Sequence, residues 1–158
     1  MDDEQTQWVA KLRAISGTFR AAMTMDDDRV MRHRPGPTEW SAVEVLGHMN
    51  DKLTMWSERV ERIAAEDRPS LPGYDQDALV RDYDYQRADP AVLLASLQRR
   101  CDHFADVVAA LSPTALDRAG IHSEFGPMTI QRCVEIVLRS APEHLAQLRA
   151  AQASAPAE

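Results

Sequence analysis

The chain has 158 residues, which suits one domain that buries about two-thirds of its unfolded surface without disulfides or structural metals. A formal net charge of −7 argues against binding a phosphate backbone, which needs clustered Lys and Arg. Its two cysteines, Cys101 and Cys133, match no CxxC spacing and exclude a disulfide scaffold, while the acidic start MDDEQTQW lacks the basic and apolar regions of a secretory signal. No apolar run approaches the roughly 20 residues of a membrane span, so a cytoplasmic protein with reduced thiols is expected.

Four periodic segments follow in chain order. Trp8, Leu12, Ile15, Phe19 and Met23 form one helical stripe, which fades into Asp26-Asp27-Asp28 and stops before Pro35-Gly36-Pro37. That aspartate run lacks the alternation and terminal Glu of a calcium loop, so it is expected to be a solvated turn. The second segment opens on Ser41-Ala42-Val43-Glu44, a capping box, with Trp40 and Val45 placed as a hydrophobic staple. Its stripe runs Val45, His48 with Met49, Lys52 with Leu53, Trp56, Val60 and Ile63, to about Ala65.

Residues 67–88 make a long connection broken by Pro69, Pro72 and Gly73, with a short helical turn expected over 77–82. A link of that length can cross the end of a bundle, so the helices it joins need not be antiparallel. The third helix starts at Asp89-Pro90, carries Leu93, Leu97, Cys101, Phe104, Val108 and Leu111, and ends at Ser112-Pro113. The last follows Phe125-Gly126-Pro127 with Ile130, Cys133, Val134, Val137, Ala141, His144, Leu145 and Leu148. No run alternates with the period of a strand. The expected architecture is an all-α bundle over residues 1–150, with 151–158 a disordered tail.

Chemistry is most plausible at the histidines. His48 and His144 lie on apolar stripes, whereas His33 and His103 fall off them and are expected to be exposed. An inward imidazole in a bundle is either hydrogen-bonded or a metal ligand, and facing helices are where bundles build metal sites. Both cysteines read as small buried hydrophobes. Trp8, Trp56 and Phe104 read as core or cavity lining, and Arg99-Arg100 as a surface pair.

The string from Trp40 to Met49, with its Trp eight residues before His48, resembles the signature of the DinB-like family. The segment Arg118 to Ile130 is similar to that family's link into its last helix, and Glu143-His144-Leu145-Ala146-Gln147-Leu148 resembles its closing motif. Taken in order, these motifs identify a DinB-like chain over about residues 5–150. The resemblance implies an up-down-down-up four-helix bundle with a long crossover between helices two and three, often dimeric. It also implies a divalent metal, zinc or nickel, held by three histidines, and metal-dependent hydrolase or S-transferase chemistry on a low-molecular-weight thiol.

Carried over position by position, His48 matches the first ligand and His144 the last. The remaining ligand belongs four residues before His144, where this chain has Ser140. A serine hydroxyl stays protonated and donates weakly to zinc or nickel. Pro142 stands beside it, where it removes a donor to the Leu138 carbonyl and is expected to kink the helix and re-aim His144. Ser140-Ala141-Pro142-Glu143 also reads as a capping box that restarts a helix, and capping is the favoured role for Ser140. Glu143 and Glu44 are weaker substitutes for the lost ligand. His122 either closes over the cavity mouth or is a solvated loop residue. Asp51 is either a partner fixing the His48 tautomer or simply solvated. The competing reading is a metal-free protein of the same fold that binds a small molecule or acts as a dimeric interaction module.

Overall fold

The apolar stripes of the four long segments close on one another. In the computed structural model, which describes residues 1–158, these segments are α1 (Asp3–Ala22), α3 (Ala42–Ala65), α5 (Pro90–Ala110) and α6 (Ile130–Ala153). Two short helices lie between them, α2 (Asp28–Arg32) and α4 (Gln76–Asp82). Leu12, Phe19, Leu53, Ile63, Leu97, Phe104, Ile130 and Val137 are completely buried, each contributing on the order of 1.5–3 kcal/mol.

Side-chain hydrogen bonds fix the helix directions. Gln5 at the start of α1 donates to the carbonyls of Val108 and Leu111 at the end of α5, and Ser16 donates to Gln98, so α1 and α5 are antiparallel. Asn50 donates to the Leu93 carbonyl and His103 meets Glu61, so α3 and α5 are parallel neighbours. Gln152 donates to the Ala22 carbonyl, which places the ends of α1 and α6 side by side and makes them parallel. The result is an up-down-down-up four-helix bundle. The long link between α3 and α5 carries the chain back along the bundle, which lets them run in the same direction.

Ser41 caps α3 as expected: its hydroxyl accepts from Glu44 N and the Glu44 carboxylate accepts from Ser41 N, at 3.3 and 2.9 Å. Glu44 also holds Arg34, and Ser41 donates to Gln86, so one cap gathers two loops. Tyr85 lies flat against Gly47, where an added Cβ would stand 2.2 Å from its ring, and donates to Asp51 at 2.6 Å. The long link is thereby pinned to the outside of α3.

Several expectations change. Asp26 lies in an exposed turn as expected, but Asp27 caps α2 by accepting from Val30 N, so the rest of the run starts a helix. A three-stranded sheet exists where no strand was expected: β1 (Ser70–Leu71) pairs parallel with β2 (Ala119–His122), which pairs antiparallel with β3 (Gly126–Thr129). Strands of two to four residues are too short to show a period. The turn between β2 and β3 ends on Gly126 at φ +69°, a conformation that glycine adopts freely. The domain boundary expected at 150 falls inside α6, which continues to Ala153, with Ala151 buried and Gln152 tied to α1.

The largest correction concerns the helix restart expected at Ser140. α6 is one uninterrupted helix through Pro142, and Ser140 caps nothing: its hydroxyl donates to the Val137 carbonyl at 3.1 Å. Pro142 is exposed, so the Leu138 carbonyl that it leaves without a donor can turn to water. Packing of the flanking turns against α1 and α3 maintains the helix.

Candidate functional site

His48 and His144 are brought together. Their Nε2 atoms stand 3.2 Å apart and their rings meet edge to face at 4.5 Å. The capping box sets where α3 begins, and His48 follows one turn after Glu44, 1% exposed beneath the Trp40 ring at 4.8 Å. His144 comes from α6, half-buried, with Nδ1 2.9 Å from Gln147 Oε1. An amide oxygen only accepts, so His144 carries its proton on Nδ1 and turns the Nε2 lone pair toward His48. His48 Nδ1 has no partner at all.

Both imidazoles are held neutral. Burial, with the proximity of the His144 ring and the Lys52 charge, pushes His48 down to about 3. Burial lowers His144 as well, with Lys52 adding to the effect and the Gln147 hydrogen bond opposing it. Neutral imidazoles are the form that binds metal.

The donor set fits a divalent ion in part. Two nitrogens about 2.0–2.1 Å from one tetrahedral ion stand roughly 3.3 Å apart. The observed 3.2 Å matches, and it is also the length of a hydrogen bond between the two rings. Gln147 fixes His144 in the manner expected of a group behind a metal ligand. No third His, Cys, Asp or Glu joins the pair, and Ser140 is turned onto Val137. The residues present therefore fit an ion held by two imidazoles and not one enclosed by three.

The other candidates are placed as follows. Asp51 is not behind His48, because its Oδ1 accepts from Tyr85 and its Oδ2 is buried without a partner. Glu44 is consumed by the cap and by Arg34. Glu143 is exposed. His122 is a buried strand residue rather than a solvated loop one; its Nδ1 accepts from Glu124 N and Phe125 N at 3.1 and 3.3 Å. His33 is half-buried, and His103 is exposed and pairs with Glu61 at 2.6 Å. Cys101 and Cys133 are free and buried, each thiol pushed up to about 12 mainly by burial. Of the pair Arg99-Arg100 the first is exposed as expected, whereas Arg100 is half-buried and donates to Asn50, Ser96 and Thr54.

One turn beyond His48 the same face of α3 opens into a cleft of about 230 Å³, lined by Lys52, Trp56, Arg59, Tyr74, His122 and Phe125 among others. Its cations are not conspicuous in the sequence. Lys52 could have been suspected, standing on an apolar stripe four residues after His48. Tyr74 sits in an irregular link and gives no such signal.

The sequence profile of the DinB superfamily matches residues 5–148, and this chain belongs to that superfamily. Among solved structures it is similar to YfiT from Bacillus subtilis, described as a probable metal-dependent hydrolase with an unusual four-helix bundle topology. The TM-score is 0.87 at 19% identity, over 96% of this chain and 87% of that one. No curated protein matches by sequence. No helix here is long and apolar enough to cross a membrane.

Proposed function

We propose that this chain is a small-molecule enzyme, a metal-dependent hydrolase or thiol S-transferase whose metal centre is reduced to two histidines. The approach of the His48 and His144 Nε2 atoms to 3.2 Å carries this reading. A divalent ion such as zinc or nickel, when bound, supplies Lewis acidity toward a low-molecular-weight thiol or water. His48 and His144 would hold it, Gln147 orients the His144 ring, and burial under Trp40 keeps the His48 imidazole neutral. Two protein ligands leave the remaining positions open and make affinity weak.

Metal analysis of untagged protein tests this reading, together with thermal unfolding in added zinc or nickel. Retained metal or a rise in Tm supports it. No metal and no rise contradicts it.

A second reading, a metal-free ligand-binding protein, has its own support: Ser140 is committed to Val137, and the Lys52 charge acts on both imidazoles. Under that reading His48→Ala leaves any ligand affinity unchanged. We extend the proposal to a homodimer, supported by a groove between α1 and α6 walled by Ile15, Leu138, Ala141 and Leu145, and checked by sedimentation velocity.

A further inference from the structure

The cleft beside the histidine pair contains a cation without a counter-ion. Arg59 is 6% exposed, yet no carboxylate lies within 4.0 Å of it. One Nη donates to the Pro72 carbonyl at 2.7 Å. The guanidinium carbon lies 4.5 Å from the Trp56 ring centroid and 5.7 Å from that of Tyr74, so its position is fixed from two sides. Lys52, one side chain nearer the histidines, is half-buried and likewise has no ion-pair partner; Glu143, the acid that acts on it, stays beyond contact. A buried charge is retained at a cost unless something pairs with it. An arginine buried to this degree is expected to be paired with an acid.

The walls say what kind of anion fits. Trp56, Tyr74 and Phe125 are aromatic, and Phe125 is 59% exposed at the tip of the β2–β3 turn, stacked on His122 at 4.8 Å. An exposed Phe at a cleft mouth offers an apolar lip to a planar body. Glu124 at the rim is exposed and disfavours a ligand with more than one negative charge. A guanidinium presents a planar fork that matches a carboxylate. We propose that this cleft binds a small planar organic carboxylate, its acid group between Lys52 and Arg59 and its apolar body against Tyr74 and Phe125. The inference rests on reading this face of α3 as a small-molecule site, and it does not require a bound metal.

Benzoate is the probe, followed by tryptophan fluorescence and calorimetry, with benzamide as its neutral counterpart and inorganic phosphate as competitor. Benzoate should saturate a single site, and benzamide should bind at least about tenfold more weakly. Lys52→Gln, checked for folding by circular dichroism, should weaken benzoate about tenfold. His144→Gln should leave benzoate affinity within about twofold, since an anion held on a histidine-bound metal would instead be lost. Equal binding of benzamide overturns the proposal, as does unchanged affinity in Lys52→Gln or competition by phosphate at equal concentration. Loss of benzoate binding in His144→Gln also overturns it. Arg59→Gln should weaken benzoate at least as much, and because it removes a packed side chain, Lys52→Gln carries the test if that variant fails to fold. Failure of metal binding alone leaves the benzoate result intact, so the two readings fail separately.

Discussion

α3 presents polar groups on two sides, and they are treated differently. Toward α5, the more buried groups are joined to one another: Asn50 donates to the Leu46 and Leu93 carbonyls, and Arg100 joins Asn50, Ser96 and Thr54. Toward α6 and the cleft, valence is left over: His48 Nδ1 and Trp56 Nε1 are buried without partners, and Arg59 and Lys52 lack counter-ions. A satisfied network holds a structure in one arrangement, whereas an unsatisfied one is tolerated where a ligand completes it. The contrast predicts that substitutions toward α5 cost stability and that those toward α6 cost binding.

The largest expected effect is on the α5 side. Asn50→Ala removes the helix-to-helix hydrogen bond to the Leu93 carbonyl and the charge-assisted one from Arg100, and should lower stability by about 2–3 kcal/mol in urea melts. Benzoate and metal binding should be unchanged in the folded variant. Gly47→Ala pushes a methyl group into the Tyr85 ring and should cost about 1–3 kcal/mol, with release of the Tyr85–Asp51 hydrogen bond visible as a change in tyrosine absorbance.

A smaller effect depends on pH. Burial raises the Glu44 carboxyl, but its hydrogen bonds to Arg34 and Ser41 win and hold it below the ordinary value of 4.5. A carboxylate depressed in the folded state contributes stability above its unfolded pKa, and that stability is lost as pH falls through the folded one. Glu44→Gln should therefore destabilise the protein by about 1 kcal/mol near neutrality and flatten the acid side of the pH–stability curve, an effect read from melts between about pH 2 and 6. An unchanged acid limb would show that the cap does not depend on charge.

The smallest stability change belongs to the α6 side. His48→Leu removes one buried nitrogen that has no partner and one that meets only His144, and should alter stability by about 1 kcal/mol or less while abolishing metal binding. A large loss of stability would place His48 with the structural residues and erase the contrast.

Much of this arrangement could be read in the sequence. The cap at Ser41, the four stripes and the Asp89-Pro90 start are local signals, and the structure follows them. His48 and His144 stood out because each interrupts an apolar stripe. What could not be read depends on distant partners. The β-strands are two to four residues long, too short to show a period, and β1 exists only through pairing with β2 about 50 positions on. Pro142 breaks no helix because it faces solvent, which spacing alone does not reveal. The Arg59 cation is unusual only because nothing acidic folds against it.

The central claim is that His48 and His144 form a metal site although Ser140 occupies the third position. Calorimetric titration of untagged protein with zinc, alongside the His144→Gln variant, tests it most directly. The account predicts weak binding of one equivalent per chain, lost in the variant. No heat of binding in the wild-type chain, or identical binding in the variant, would contradict it.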